Sequence, residues 1–255
     1  METTQVNHAY WRGWLLLLVG ILMPFSAMAD EVTVADSNGN GLRYTYDSAD
    51  GPATFIGVKT YSADADKAGR IVIADRVTDA NGNGHDVLYI GGSLSNRGSI
   101  VSVVFGKNIV AVGGPEGTSD NAFYYCSNLQ SVTLNSKLEI LGNYTFQYCR
   151  NLTSINLSDA TSLQTIKKGC FYNTDALRTV SIPASVKTIE GYAFYSIDSL
   201  RTLNISNDVS GLTIGEYAFS EDDYLDNVSL PAGVTTLEKA AFRSCDHMKS
   251  FTFAA

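Results

Sequence analysis

Two six-residue segments carry the most specific chemical spacing in the chain. Asp36-Ser-Asn38-Gly-Asn40-Gly41 and Asp79-Ala-Asn81-Gly-Asn83-Gly84 place carboxylate and amide oxygens at positions 1, 3 and 5 and a glycine at 6. That is the opening of a calcium loop. An EF-hand also needs a carboxylate at position 12 and flanking helices, whereas position 12 is Asp47 in one segment and Ile90 in the other, with strand-like runs on either side. Asn-Gly between strands closes hairpins. Hairpin turns are therefore the expectation, with calcium the alternative.

Nucleophilic chemistry needs a base within hydrogen-bond reach of a Ser or Cys. Beyond the leader described below, the only histidines are His85 and His247, which the repeat register sets about 30 Å apart if successive coils rise about 4.8 Å. They cannot share a site. Cys245 lies two residues from His247, but its register position is interior. The four cysteines form no C-x-x-C pair and no H-x-x-x-H pair exists, so no metal, no cofactor and no catalytic residue is expected. Cys126 and Cys149 fall at the same offset of neighbouring coils, about 5 Å apart, which leaves one disulfide open in an exported protein.

Export is read from residues 1–29. Arg12 precedes the apolar run Trp14 to Phe25, and Ser26-Ala27-Met28-Ala29 stands ahead of Asp30. A twelve-residue run containing Pro24 is too short to span a bilayer, which takes about 20 apolar residues; it reads as a signal peptide cut before Asp30. The mature chain is expected outside the cytoplasm, secreted or at the cell surface, with no transmembrane segment. Across 255 residues, 26 acidic residues against 18 basic ones give a net charge of −8. Nucleic acid draws binding from clustered Lys and Arg, so it is not an expected partner.

The elements that would position any site follow from an internal period. Phe123, Phe146, Phe171, Phe194, Phe219 and Phe242 recur at intervals of 23, 25, 23, 25 and 23. With each Phe as zero, +6 holds Leu129, Leu152, Leu177, Leu200, Leu225 and Met248. The +9 and +11 places hold apolar pairs from Val132/Leu134 to Phe251/Phe253, with polar residues between, the period-2 signature of a strand buried on one face. Apolar residues also stand at −5 (Leu141, Ile166, Ile189, Ile214, Leu237), and small ones at −1 suit a tight helical turn under the next coil. Gly142, Gly169, Gly191 and Gly215 are expected to permit positive φ where segments end. Stacked coils of this kind share one core. The longer coils place two extra residues in Ser158 to Ser162 and Ser206 to Gly211, read as surface loops that leave the core undisturbed.

Ile189-Glu-Gly-Tyr-Ala-Phe194 with Leu200-Arg-Thr-Leu-Asn-Ile205, and Ala122-Phe123-Tyr-Tyr-Cys126-Ser-Asn-Leu129-Gln-Ser-Val132-Thr-Leu134, resemble the leucine-rich repeats of BspA-like surface proteins. The resemblance covers residues 109 to 253. It implies an α/β repeat solenoid, a right-handed superhelix with a parallel sheet on its concave face and short helical turns opposite. It also implies binding or adhesion at the cell surface, and brings no catalytic residues with it.

Leu94, Ile100, Val103 and Phe105 keep the same offsets and make a degenerate coil, followed by an insertion at Gly113 to Asp120. The organisation expected is a β cap over 30–86 and a solenoid over 87–255. Two surfaces are candidates for binding. The polar places of the strands read Ser131/Thr133, Ser154/Asn156, Thr179/Ser181, Thr202/Asn204 and Asn227/Ser229, continued by Ser250/Thr252. This ladder is an open sheet face or a shallow binding surface, and is preferred as a site because it is the more continuous. The other candidate is the run of Tyr residues around each Phe, including Tyr124, Tyr148, Tyr172 and Tyr195, where aromatic area suits interfaces or carbohydrate. The functional expectation is a monomeric, non-enzymatic protein contacting a protein, matrix or host component; a structural spacer in a longer surface protein is the alternative.

Overall fold

Residues 30–35, 41–46, 48, 50–59, 69–91, 94–114 and 121–254 are described by the computed structural model. The segment 1–29 read as a signal peptide, the first calcium-like segment at 36–40 and most of the 113–120 insertion lie outside the described residues.

At the N-terminal end, β1 (Asp30–Ala35), β2 (Gly41–Tyr46) and β3 (Ala53–Lys59) form an antiparallel meander. After it come β4 (Arg70–Val72) and the hairpin of β5 (Arg76–Thr78) with β6 (Gly84–Ile90). From there each coil contributes two short strands. One set comprises β7 (Ser102–Val104), β9 (Ser131–Thr133), β11 (Ser154–Ile155), β13 (Thr179–Ile182), β15 (Thr202–Ile205), β17 (Asn227–Leu230) and β19 (Ser250–Phe253). The other comprises β8 (Ala111–Val112), β10 (Ile140–Leu141), β12 (Thr165–Ile166), β14 (Thr188–Ile189), β16 (Leu212–Ile214) and β18 (Val234–Leu237).

The second set was visible in the sequence only as a single apolar place at −5. In the structure it builds the longest sheet, running β1-β2-β3-β6-β8-β10-β12-β14-β16-β18, parallel from β3 onward, so cap and coils share one hydrogen-bonded surface. The first set carries the polar ladder and is not continuous. It splits into β4-β7-β9-β11 and β13-β15-β17-β19. The break falls where the first long coil folds its extra residues into a 3-10 turn, Leu157–Asp159, between β11 and β13. The inserted loop leaves Leu157, Ala160 and Leu163 buried, as expected, but it interrupts the strand pairing, which was not expected.

The Phe side supplies a third ladder. Backbone N–H groups at −2, 0 and +2 of one coil donate to carbonyls at −3, −1 and +1 of the next: Tyr144, Phe146 and Tyr148 to Lys168, Cys170 and Tyr172 at 2.9, 2.8 and 2.9 Å, for example. Alternate residues bond within their own turn, as Gln147 N–H does to the Tyr144 carbonyl at 3.2 Å. This alternation requires left-handed backbone on both sides of the ring. Asn121, Tyr144, Gly169, Tyr192, Tyr217 and Ala240 at −2, and Tyr125, Tyr148, Asn173, Ser196, Glu221 and Ser244 at +2, all have φ between 50° and 72°. The expected tight turns are therefore paired turns rather than a helix. A left-handed residue with a Cβ costs roughly 1 to 2 kcal/mol, which the coil-to-coil hydrogen bonds offset. Of the four glycines expected to use positive φ, only Gly169 does. Gly215 is needed for closeness: a Cβ there would sit 2.7 Å from the Gly191 backbone nitrogen.

The core follows the register. Phe123, Phe146, Phe171, Phe194 and Phe219 are fully buried, with centroids of successive rings 4.9 to 5.5 Å apart. The last described coil departs from it: Leu237, Phe251 and Phe253 stand at interior places yet are 40%, 36% and 67% exposed.

Candidate functional site

The strand face is decided by the pleat. In β13, β15 and β17 the alternate residues Val180, Leu203 and Val228 turn inward, and Thr179, Thr202, Asn204, Asn227 and Ser229 stand exposed on the other side. Register keeps the polar residues side by side: Thr179 pairs with Thr202, and Ser181 with Asn204, whose Nδ2 donates to Ser181 Oγ at 3.3 Å. Ser131, Thr133 and Ser154 lie in the other four-stranded sheet. Nine of the ten expected residues thus form two groups rather than one ladder.

Asn156 belongs to neither surface. Its Oδ1 accepts the Leu134 N–H at 2.7 Å, and its Nδ2 donates to the Leu134 carbonyl at 3.2 Å and to Asp159 at 3.0 Å. That side chain replaces a strand partner at the break and is structural. Sequence reasoning had no signal for this, since Asn156 occupies the same offset as the exposed Asn204.

Beside the break, a cleft of about 480 Å³ opens at the ends of β13 and β15. Ser158 and Thr161 wall one side, Ser181 and Ser185 another, and Ile182 and Ile205 contribute apolar surface. None of its lining residues is charged. Ser185 Oγ is enclosed there without a hydrogen-bond partner. The charged groups lie at the other ends of these strands: Arg178 and Arg201 are exposed immediately before β13 and β15, and Lys249, immediately before β19, pairs with Asp226 at 2.8 Å, holding that carboxyl below its usual range.

The Tyr residues form a column on the Phe side. Tyr125 and Tyr124 contact Tyr148, which contacts Tyr172; Tyr172 stacks on Tyr195 at 4.9 Å, and Tyr192 stacks on Tyr217 at 5.2 Å. This column, not the strand ladder, is the uninterrupted feature across the coils. Its rings cover one another, and of these Tyr residues only Tyr125 is exposed, at 45%. Ring faces that a sugar would stack on are largely taken.

The remaining chemical candidates resolve locally. Asp79 is buried, its Oδ1 accepting the N–H groups of Asn81 and Asn83 at 2.9 and 2.8 Å and its Oδ2 the Asn83 amide at 3.0 Å. The segment is the β5–β6 hairpin turn, with Gly82 at φ 88°. His85, fully buried, stacks on Tyr46 at 4.0 Å and places Nδ1 2.9 Å from the Gly51 carbonyl. His247 instead faces the Asp223 carbonyl at 2.9 Å, while Cys245 donates to the Phe219 carbonyl at 3.2 Å. Thiol and ring address different carbonyls. All four cysteines are free, so the disulfide left open between Cys126 and Cys149 is not formed; their thiols donate to Leu94 and Phe123 carbonyls of the preceding coil. Among the described residues no cluster of His, Cys, Asp or Glu could hold a metal, and no helix is long and apolar enough to cross a membrane.

A sequence profile of the BspA type leucine rich repeat region matches residues 116–249 in six copies. The chain belongs to this family.

Solved structures agree on the fold of this BspA-type chain. A leucine-rich cell surface protein from Faecalibacterium prausnitzii A2-165 superposes with a TM-score of 0.65 at 24% identity, covering 87% of this chain and 54% of that one. A leucine-rich repeat protein from Bacteroides ovatus gives 0.68 at 21%, covering 82% and 51%. The T. pallidum leucine rich repeat protein gives 0.55 at 20%, covering 78% of each. The chain spans about half the length of the first two. No functionally curated protein matches it. The matched stretch of 116–249 contains all six Phe anchors, from Phe123 to Phe242.

Proposed function

We propose that the chain is an exported, non-enzymatic binding protein that contacts a protein or a matrix or host surface component through its strand face. The half built from β13, β15, β17 and β19 carries the contact, centred on Ser181 and Asn204. Thr179, Thr202, Asn227 and Ser229 extend it, and Ser131, Thr133 and Ser154 form a second, smaller patch beyond the break. A repeat solenoid offers an extended, shallow surface rather than an enclosed pocket.

One observation carries the choice of centre: the cleft beside Ser181 and Asn204 has an uncharged lining, and within it the Ser185 hydroxyl is enclosed without a partner. Neutral hydrogen-bonding groups beside apolar side chains suit a neutral segment, such as a loop or extended stretch of a partner protein.

The test is a binding screen of the mature chain against immobilised matrix glycoproteins and mucins, followed by hydrogen exchange on any complex found. Protection is expected at 158–161, 179–185 and 202–207. Protection confined to the Tyr residues of 124–125, 148, 172 and 195 moves the site to the Phe side, and binding to none of the panel favours the spacer reading.

A further inference from the structure

Asp222 stands in a position that four of the other five Phe-anchored coils fill with a hydrogen-bond donor and one fills with the buried, apolar Ile197. It is the third residue after Phe219, and in three other coils that place holds a cysteine whose thiol donates to a main-chain carbonyl of the preceding coil. Cys126, Cys149 and Cys245 donate to Leu94, Phe123 and Phe219 at 3.2, 3.1 and 3.2 Å. In a fourth coil Thr174 donates to the Phe171 carbonyl at 2.6 Å.

The Asp222 side chain is fully buried. Its Oδ1 accepts the Ile197 N–H at 2.7 Å, and its Oδ2 is enclosed with no hydrogen-bond partner. An ionised carboxylate only accepts, so it cannot serve a donor place. The surroundings do not favour a charge either. Asp198 faces it from the preceding coil and Asp223 lies beside it; the Cys245 thiol and Asp246 belong to the coil that follows. No cation bonds this carboxyl: Arg201 lies over the Tyr224 ring at 5.1 Å, His247 faces the Asp223 carbonyl, and Arg243 on the following coil is exposed.

We infer that Asp222 enters the folded core as the neutral carboxylic acid, so that closing the junction between the Phe194 and Phe219 coils takes up a proton. As the acid, Oδ2 carries a hydrogen and can donate as the thiols do. Burial pushes this carboxyl well above the usual carboxylate range, with Asp223 and Asp198 adding to it and the Ile197 hydrogen bond opposing. A group raised in the folded state contributes stability that is fully present below its unfolded value, about 3.9 for Asp, and is lost as pH rises through the folded value. Mild acid therefore tightens the coils that carry β15 and β17. This inference stands apart from the binding reading and does not need it.

The test is denaturant unfolding of the mature chain from pH 5 to pH 8, comparing wild type with Asp222→Asn and Asp222→Cys. Both variants place a neutral donor in the slot. The folding constant of wild type is expected to fall relative to each variant by about tenfold per pH unit within the window. Apart from the thiol of the Asp222→Cys variant, which begins to ionise near pH 8 in the unfolded chain, the other titrating groups are common to all three proteins and cancel in the ratio. Parallel pH profiles overturn the inference. A second readout does not depend on the variants folding: the Asp222 carboxyl carbon resonance in the wild-type protein at pH 6 is expected at the neutral-acid position, and a carboxylate signal there overturns the inference directly.

Discussion

The rings of Phe194 and Phe219 lie 3° from parallel with centroids 5.0 Å apart, each at the zero position of its coil. Each coil presents the same ring to the next, and the backbone follows: Phe194 N–H donates to the Ala218 carbonyl, and Phe219 N–H to the Ala241 carbonyl, both at 2.8 Å. Side-chain stacking and main-chain bonding therefore share one register, and a change in either is felt by two neighbours.

Truncation should show this. Phe194→Ala removes a fully buried ring between Phe171 and Phe219 and is expected to cost about 3 to 5 kcal/mol. Thr202→Ala on the exposed strand face is expected to stay within about 0.5 kcal/mol. Denaturant melts measure both, and equal losses contradict the register.

Backbone geometry gives a second test at Gly169. Its φ is +59°, and an added Cβ would fall 2.5 Å from the Tyr144 ring. Gly169→Ala should destabilise by roughly 1 to 3 kcal/mol, although every neighbouring coil tolerates a non-glycine residue at that place. A neutral result in thermal melts would mean that Tyr144 moves aside and the left-handed cost is already met.

The hairpin at Asp79 should ignore calcium. Both Asp79 oxygens serve the turn itself, so neither chelator nor millimolar calcium should move the melting temperature of the mature protein. A rise of several degrees with calcium would require a bound ion, since a ligand of the folded state alone stabilises it.

The cysteines should be inert in the folded protein. Burial pushes the Cys126 and Cys245 thiols up to about 12 and Cys149 well above its usual value. The thiolate is the reactive form, so alkylation at pH 8 should be slow until denaturant is added, and reductant should leave the melting temperature unchanged. A lower melting temperature in reductant would reveal a bridge.

The coil register was legible because each interior place meets its own counterpart one coil away, so the same residue type recurs at 0, +6, +9 and +11. The strands of the long sheet were not, since Ile140–Leu141 and Thr165–Ile166 are two residues each and too short to show alternation. Most of the left-handed pairs were hidden behind Tyr, Ser, Glu and Ala, residues that rarely adopt positive φ, with Asn121 and Asn173 the more usual choices. Two candidate-site residues illustrate the limit. Asn204 stands exposed as expected, while Asn156, at the same offset, bonds to Leu134 because an inserted turn removed the neighbouring strand. Asp222 stands between the acidic Glu221 and Asp223 in sequence, and its burial follows from sharing the place that cysteine fills in three other coils.

The claim that the strand face binds is tested most directly by titrating two folded double variants against a binder from the matrix panel, using surface plasmon resonance at fixed ionic strength. Ser181→Lys with Asn204→Lys puts two cations at the cleft, and Tyr172→Ser with Tyr195→Ser removes two stacked rings from the other side. Affinity is expected to fall at least about tenfold in the lysine variant, as unpaired buried charge weakens a contact by more than 1.4 kcal/mol, and to hold within about twofold in the serine variant. Loss in the serine variant with full affinity in the lysine variant would contradict the account.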